Sequence, residues 1–164
     1  MVRDEIRSLN GRVMTDVITR IVTVLEDRSD SAAVQEALVV AAFLFEKARG
    51  LPLSGWPDEV IRANPDADEM RLLRCAVVAY AERTGVGSWT LGKCDDPSLK
   101  PVLASLVRRH LDGDAGELYQ AMIALDNLGE RVFSDAAVCS ILDEEVTRAL
   151  ARKYLGSLQS KRIK

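Results

Sequence analysis

The sequence predicts an all-α protein, and three observations support this fold class. Apolar residues recur at spacings of three and four, which places them on one helix face, as at Val17, Ile21 and Leu25. Short acidic or polar turns precede the apolar segments and provide side chains that cap helix N-termini. No segment alternates between apolar and polar residues for long enough to predict a strand.

The first half of the chain contains two predicted helices and a long break. The first apolar stripe comprises Ile6, Leu9, Val13, Val17, Ile21 and Leu25. A second helix runs from Ser31 to Arg49, and Gly50 is expected to end it. Its apolar face carries Val34, Leu38, Ala41 and Phe45. Residues 50–67 are rich in proline and glycine, with space for one short helix from Pro57 to Ala63.

Three further helices and a last segment are predicted after this break. Asp66 or Asp68 caps a third helix, whose apolar residues are Met70, Leu73, Val77 and Tyr80. A loop containing Gly85, Gly87 and Gly92 precedes a fourth helix from Asp96 to about Leu111, with Pro101 in its first turn. The fifth helix carries Leu118, Met122, Leu125 and Leu128 and ends at Gly129. Ser134 or Asp135 caps the last segment, which carries Val138, Leu142, Val146, Ala149 and Leu150 and is expected to break near Asp143.

Length and composition predict one globular domain. The chain has 164 residues, of which 48% are hydrophobic and 29% charged, as in folded domains. We expect a single helical domain over residues 1–156 and a basic tail over residues 157–164. No apolar run approaches the roughly 18 residues that span a bilayer. The three cysteines form no CxxC pair, and Cys75 and Cys139 are expected in the core, so the expected location is the cytoplasm.

Charge is distributed unevenly in the last third of the chain. Residues 112–145 contain nine acidic residues and one basic residue, whereas residues 146–164 contain six basic residues and no acidic one. The acidic stretch is expected to attract a basic partner surface and raise its association rate. The basic end is interpreted first as a helix C-terminus that favours cations, followed by a solvated tail.

A helix-opening pattern recurs four times along the chain. Each copy is an acidic or polar turn followed by an apolar residue and an amphipathic helix, and the apolar openers are Val34, Met70, Leu118 and Val146. The segments Asp112–Gly129 and Asp66–Arg71 resemble HEAT-type helical repeats. The spacings between openers are 36, 48 and 28 residues, whereas a regular array holds about 40–47. The architecture is therefore either an irregular HEAT-like helical-hairpin stack or a compact multi-helix bundle.

The resemblance to helical repeats implies protein binding on one helix face rather than catalysis. We therefore expect a non-catalytic interaction module, such as an adaptor, regulator or inhibitor-type binder, whose partner is another protein. The oligomeric state stays open. The candidate partner contacts are Trp56, Trp89, Asp112, Asp114, Glu117 and Glu130.

Nucleic-acid binding is the alternative function, because the last helix and tail are basic. Glu144 and Glu145 argue against it, since they lie at the start of that helix, where they would repel phosphates. The candidate contacts for this alternative are Arg148, Arg152, Lys153, Lys161, Arg162 and Lys164.

Motifs for catalysis and cofactors are weak. Residues 87–94 spell GxxxxGK, but Cys94 stands where a phosphate-binding loop has serine or threonine, and helix rather than strand precedes the motif. The single histidine, His110, follows two arginines and is interpreted as a solvated cation or helix cap. It also excludes a multi-histidine metal site in one chain. We therefore expect no enzyme activity, no cofactor and no metal.

Overall fold

The computed structural model describes residues 14–51, 66–133 and 143–162. Within these ranges the chain forms seven α-helices, one 3-10 helix and no strand, which confirms the predicted all-α class. The 3-10 helix spans Pro97–Leu99. The α-helices are α1 (Met14–Asp27), α2 (Ser31–Ala48), α3 (Ala67–Thr84), α4 (Ser88–Gly92), α5 (Lys100–His110), α6 (Ala115–Asn127) and α7 (Glu144–Arg162).

The chain divides into two compact units, Met1–Tyr80 and Ala81–Lys164. Helix α3 begins in the first unit and ends in the second. The prediction of one domain over residues 1–156 stays a prediction. Helix α7 continues to Arg162 and therefore includes most of the predicted basic tail.

In the first unit, α1 packs against α2, and a three-residue connection joins the two helices. The carboxylate of Asp30 accepts hydrogen bonds from the backbone N–H groups of Ala32 and Ala33, so it caps α2. Gly50 follows the helix at a φ of 71°, a left-handed conformation that glycine adopts without strain. The predicted apolar face of α2 is buried throughout.

Helix α3 begins with a reciprocal pair of side chains. The carboxylate of Asp66 accepts the N–H of Glu69 at 2.9 Å, and the carboxylate of Glu69 accepts the N–H of Asp66 at 2.9 Å. Two backbone donors that the helix leaves unpaired are thereby satisfied. Of the two caps that the sequence allowed, Asp66 and Asp68, the structure therefore has Asp66.

In the second unit, α6 packs against α4, α5 and α7. Its inward residues Leu118, Met122 and Leu125 have no solvent exposure. Small residues permit the closest approach, since a Cβ at Gly92 on α4 would lie 3.0 Å from the Cβ of Ala124 on α6. Helix α6 is thus the core element that holds the other helices of this unit in place.

Three predictions about individual segments were wrong. Residues 88–92, predicted as loop, form helix α4, so Trp89 lies on a helix. Cys75, expected in the core, is exposed on α3. Val146 and Ala149 were expected to face inward, but both are exposed. The buried residues of α7 are Thr147, Ala151, Tyr154 and Leu155.

The last of these errors has a physical explanation. Val146 lies in the first turn of α7, and Asp143 caps the helix by accepting the N–H of Val146. Thr147, with a polar hydroxyl, takes the buried position one residue later. An apolar residue next to a cap is therefore not enough to define the inward face of a helix.

Several predictions fall outside the described residues. They concern Trp56, the short helix at residues 57–63, the caps Ser134 and Asp135, Cys139, Lys164 and the side chains of Lys161 and Arg162. Among the helices that the structure describes, none is both long enough and apolar enough to cross a membrane.

Candidate functional site

A cleft between α5 and α7 is the candidate functional site of the second unit. It encloses about 320 Å³ and is open to solvent on one side. Both helices present residues spaced four apart, which lie one turn above another on a helix face. The lining residues are Lys100, Pro101, Ala104 and Arg108 on α5, Glu130 after α6, and Tyr154, Leu158 and Gln159 on α7.

An ion pair lies at one end of this α5–α7 cleft. Lys100 Nζ is 3.0 Å from a carboxylate oxygen of Glu130, and both side chains are largely shielded from solvent. Tyr154 is another lining residue and is buried. Its burial, with a smaller contribution from the negative charge of Glu130, raises the pKa of Tyr154 to about 12. Like an ordinary tyrosine, it is protonated at neutral pH and can donate a hydrogen bond.

Arg108 differs from the other charged residues of the cleft. Its side chain is exposed, and the ion pairs and hydrogen bonds found among the described residues do not involve its guanidinium. The neighbouring Arg109 has a structural role instead, because it donates to the backbone carbonyl of Glu82 at 3.0 Å. Arg108 is thus an exposed cation in the lining of the cleft.

Arg148 is a structural residue in this unit. Its guanidinium donates to the carbonyl oxygens of His110 at 3.1 Å, of Gly113 at 2.8 Å and of Leu111, and it also pairs with Glu144. These carbonyls belong to the last residue of α5 and to the turn after it, where a helix leaves acceptors without partners. Arg148, predicted as a contact of the nucleic-acid alternative, therefore ties α7 to the end of α5.

The acidic turn at residues 112–114 also has internal partners. Asp114 accepts the N–H of Glu117 at 2.8 Å and caps α6. Asp112 forms an exposed ion pair with Arg152 at 3.3 Å. Lys153 is exposed and has an internal interaction as well. The structure therefore gives several of the predicted contact residues a role within the fold.

Glu117 occupies the position that a bound phosphate would need in the GxxxxGK segment. Its carboxylate accepts the backbone N–H of Gly87 at 3.3 Å and of Ser88 at 3.1 Å. A phosphate-binding loop uses such N–H groups to surround phosphate oxygens. Here the donors at the start of α4 are satisfied by an internal carboxylate 29 residues away in sequence.

Trp89 borders a second, shallower groove of about 120 Å³ beside α6. The Lys93 ammonium lies 5.4 Å from the centre of the indole ring, a distance at which a cation is attracted to an aromatic face. The residue is 37% exposed. Trp89 therefore stays a candidate contact, on a surface separate from the α5–α7 cleft.

Of the two interpretations of His110, a solvated cation or a helix cap, the solvated cation was wrong. The ring is buried, and its Nε2–H donates to the carbonyl of Gly85 at 2.7 Å, since a carbonyl can only accept. Gly85 has a φ of 85°, and a Cβ there would lie 2.9 Å from His110 Nε2. His110 therefore connects the end of α5 to the segment after α3.

The sequence did not single out Lys100, Arg108 or Tyr154. A signal was present, because Ala104 and Arg108 on α5, like Tyr154 and Leu158 on α7, are four residues apart. Nothing in the sequence shows that these two faces meet. Among the predicted contacts whose side chains the structure describes, only Glu130 lies in the α5–α7 cleft.

In residues 14–51, 66–133 and 143–162, no group of three His, Cys, Asp or Glu side chains could hold a metal ion. The chain matches no protein-family model, no curated protein and no solved structure. Function therefore has to be argued from the geometry of the described residues.

Proposed function

We propose that this chain is a non-catalytic binding module whose second unit docks a partner protein through the α5–α7 cleft. The observation that carries the proposal is the cleft itself, where an apolar wall and several polar groups converge. Concave surfaces of this composition are typical of binding sites. The cleft offers a docking position, and we assign no reaction or cofactor to it.

The finer architecture is also a proposal. Helices α5 and α6 are joined by residues 111–114 and pack against each other, as in a helical hairpin. This arrangement supports an irregular HEAT-like stack, while the packing of α6 against three other helices fits a compact bundle equally well. Either architecture presents helix faces to a partner. The cytoplasm stays the proposed location.

The α5–α7 cleft is a better docking surface than the acidic stretch. Asp112, Asp114, Glu117 and Glu130 each have a partner within the fold. An acid that already has a partner gains less from a basic protein surface, because the internal contact must be weakened or shared. The acidic stretch still contributes to the electrostatic field around the molecule, but we assign the main partner contacts to the cleft.

Nucleic-acid binding stays the competing function, with fewer contacts to support it. The guanidinium of Arg148 is held by backbone carbonyls, so phosphate contacts would depend on exposed residues such as Arg152 and Lys153. Such binding depends strongly on salt, because each phosphate contact releases counterions. Salt dependence therefore separates the two functions.

The experiment compares three versions of the full chain as baits in native lysate, with and without nuclease. Leu158→Gln replaces an apolar side chain in the wall of the α5–α7 cleft with a polar one. Leu72→Gln is the matched control, because Leu72 is an exposed leucine on α3, outside the cleft. We expect a protein partner that survives nuclease, binds the wild type and Leu72→Gln, and is lost from Leu158→Gln.

Two other results would contradict the proposal. Equal capture by both variants would exclude the cleft as the docking surface. Capture that nuclease abolishes, and that falls steeply with salt, would favour the nucleic-acid alternative. Circular dichroism of each bait verifies that the helices are intact.

A further inference from the structure

We infer that the α5–α7 cleft recognises an acidic, amphipathic peptide segment of the partner. Arg108 would receive a carboxylate of this segment, and the wall formed by Ala104 and Leu158 would receive an apolar side chain. This inference rests on the proposed function, because it specifies the chemistry of the segment that the cleft would hold.

Charge in the cleft selects an anionic segment. Lys100 and Glu130 neutralise each other at 3.0 Å. Arg108 adds a positive charge, and its guanidinium takes part in no ion pair with the residues that the structure describes. A planar guanidinium binds a carboxylate through two parallel hydrogen bonds, which gives both affinity and orientation. An acidic side chain is thus the complementary group for Arg108.

Dimensions favour a side chain of a larger partner over a small ligand. The volume of about 320 Å³ is at the lower end of the range for small-molecule sites, and one side is open. Lys100 and Arg108 are eight residues apart, which corresponds to about 12 Å along the helix. A helical or extended peptide can place an apolar residue and an acidic residue across that distance.

Tyr154 adds a neutral donor to the lining of the cleft. Its O–H group can donate to a peptide carbonyl of the segment. A nucleic acid is a poor occupant, because the charges of Lys100 and Glu130 cancel and Arg108 alone among the lining residues would face a phosphate backbone.

The test measures the binding of three labelled helical peptides to the full chain by fluorescence anisotropy. The peptides share the same leucine positions and carry glutamate, glutamine or lysine at the positions between them. The protein variants are Arg108→Gln, Leu158→Gln and Lys153→Gln. Lys153→Gln is the matched control, since it removes one exposed positive charge from α7 outside the cleft.

We expect the glutamate peptide to bind the wild type at least about tenfold more tightly than the other two peptides. Arg108→Gln should remove this preference, whereas Lys153→Gln should retain it. Equal affinity for the three peptides, preference for the lysine peptide, or an undiminished preference in Arg108→Gln would overturn the inference.

The Leu158→Gln variant distinguishes failure of the inference from failure of the proposed function. Peptide binding that needs Leu158 but shows no charge preference would contradict the acidic ligand and leave the cleft as a docking surface. Binding that does not depend on Leu158, or binding of none of the peptides, would contradict both proposals.

Discussion

Arg148 and Arg108 lie in the same unit and have opposite surroundings. Arg148 is largely shielded, with a side chain that is 15% exposed, and donates to backbone carbonyls at the end of α5 and in the turn after it. Arg108 is exposed in the lining of the α5–α7 cleft. A charged residue in the sequence therefore does not show whether its charge is paired within the fold or is available to a ligand. Internal partners make one arginine structural, while position at a cleft leaves the other available to a ligand.

The largest effect is expected for Arg148→Met, which keeps an apolar stem but removes the guanidinium. Carbonyls at the end of α5 would lose their donors, so the free energy of unfolding should fall by about 2–3 kcal/mol. Arg152→Met is the matched control one turn later, where the exposed pair with Asp112 contributes less than about 1 kcal/mol. Urea denaturation of both variants measures the difference. Equal losses would show that Arg148 contributes no more to stability than the exposed Arg152.

A smaller effect is expected for Glu117→Gln. The amide keeps the shape of the side chain but loses the charge that strengthens its bonds to the N–H groups of Gly87 and Ser88. We expect the free energy of unfolding to fall by about 1–2 kcal/mol. Glu26→Gln, at an exposed position near the end of α1, provides a control that should change stability by less than about 0.5 kcal/mol. A neutral result for Glu117→Gln would show that this carboxylate does not hold α4.

The acidic turn allows a comparison of two aspartates that are two residues apart. Asp114→Ala removes the cap of α6 and should destabilise the protein by about 1 kcal/mol. Asp112→Ala removes only an exposed ion pair and should have a smaller effect on the free energy of unfolding. Thermal unfolding at low and high salt measures both. A larger loss for Asp112→Ala would reverse the assignment of their roles.

Tyr154→Phe removes an ionisable phenol, so we expect it to change the pH dependence of the free energy of unfolding only in alkaline solution. The folded pKa of Tyr154 is raised from 10.0 to about 12, so the folded state favours the protonated phenol. The stability linked to this shift is fully present below about pH 10 and is lost as the pH rises towards about 12. The wild type should therefore lose more free energy of unfolding over that interval than Tyr154→Phe. Parallel curves from urea denaturation would contradict the raised pKa.

Helices with local sequence signals could be predicted from the sequence. Helix α2 was expected over Ser31–Arg49 and spans Ser31–Ala48, because its cap, its apolar face and its terminal glycine are close together in the chain. The start of α3 at Asp66 and of α6 at Asp114 follows the same logic. Caps and periodicity depend on neighbouring residues, so they are visible without tertiary structure.

Features that depend on distant residues could not be predicted. The α5–α7 cleft brings Arg108 and Tyr154 to the same surface, although they are 46 residues apart in the chain. His110 is buried because Gly85, 25 residues earlier, provides a carbonyl and has no side chain to block the ring. Likewise, the packing of α7 buries Thr147 and leaves Val146 exposed. Such outcomes follow from which helix faces meet, and one sequence does not specify this.

Amide hydrogen exchange with and without the captured partner tests most directly whether the α5–α7 cleft is the docking surface. We expect added protection in residues 100–108 and 154–159, where the cleft residues lie. We expect little change in residues 112–117, whose carboxylates have internal partners. Protection confined to residues 112–117, with none in the cleft, would show that the acidic turn is the docking surface and the cleft is not.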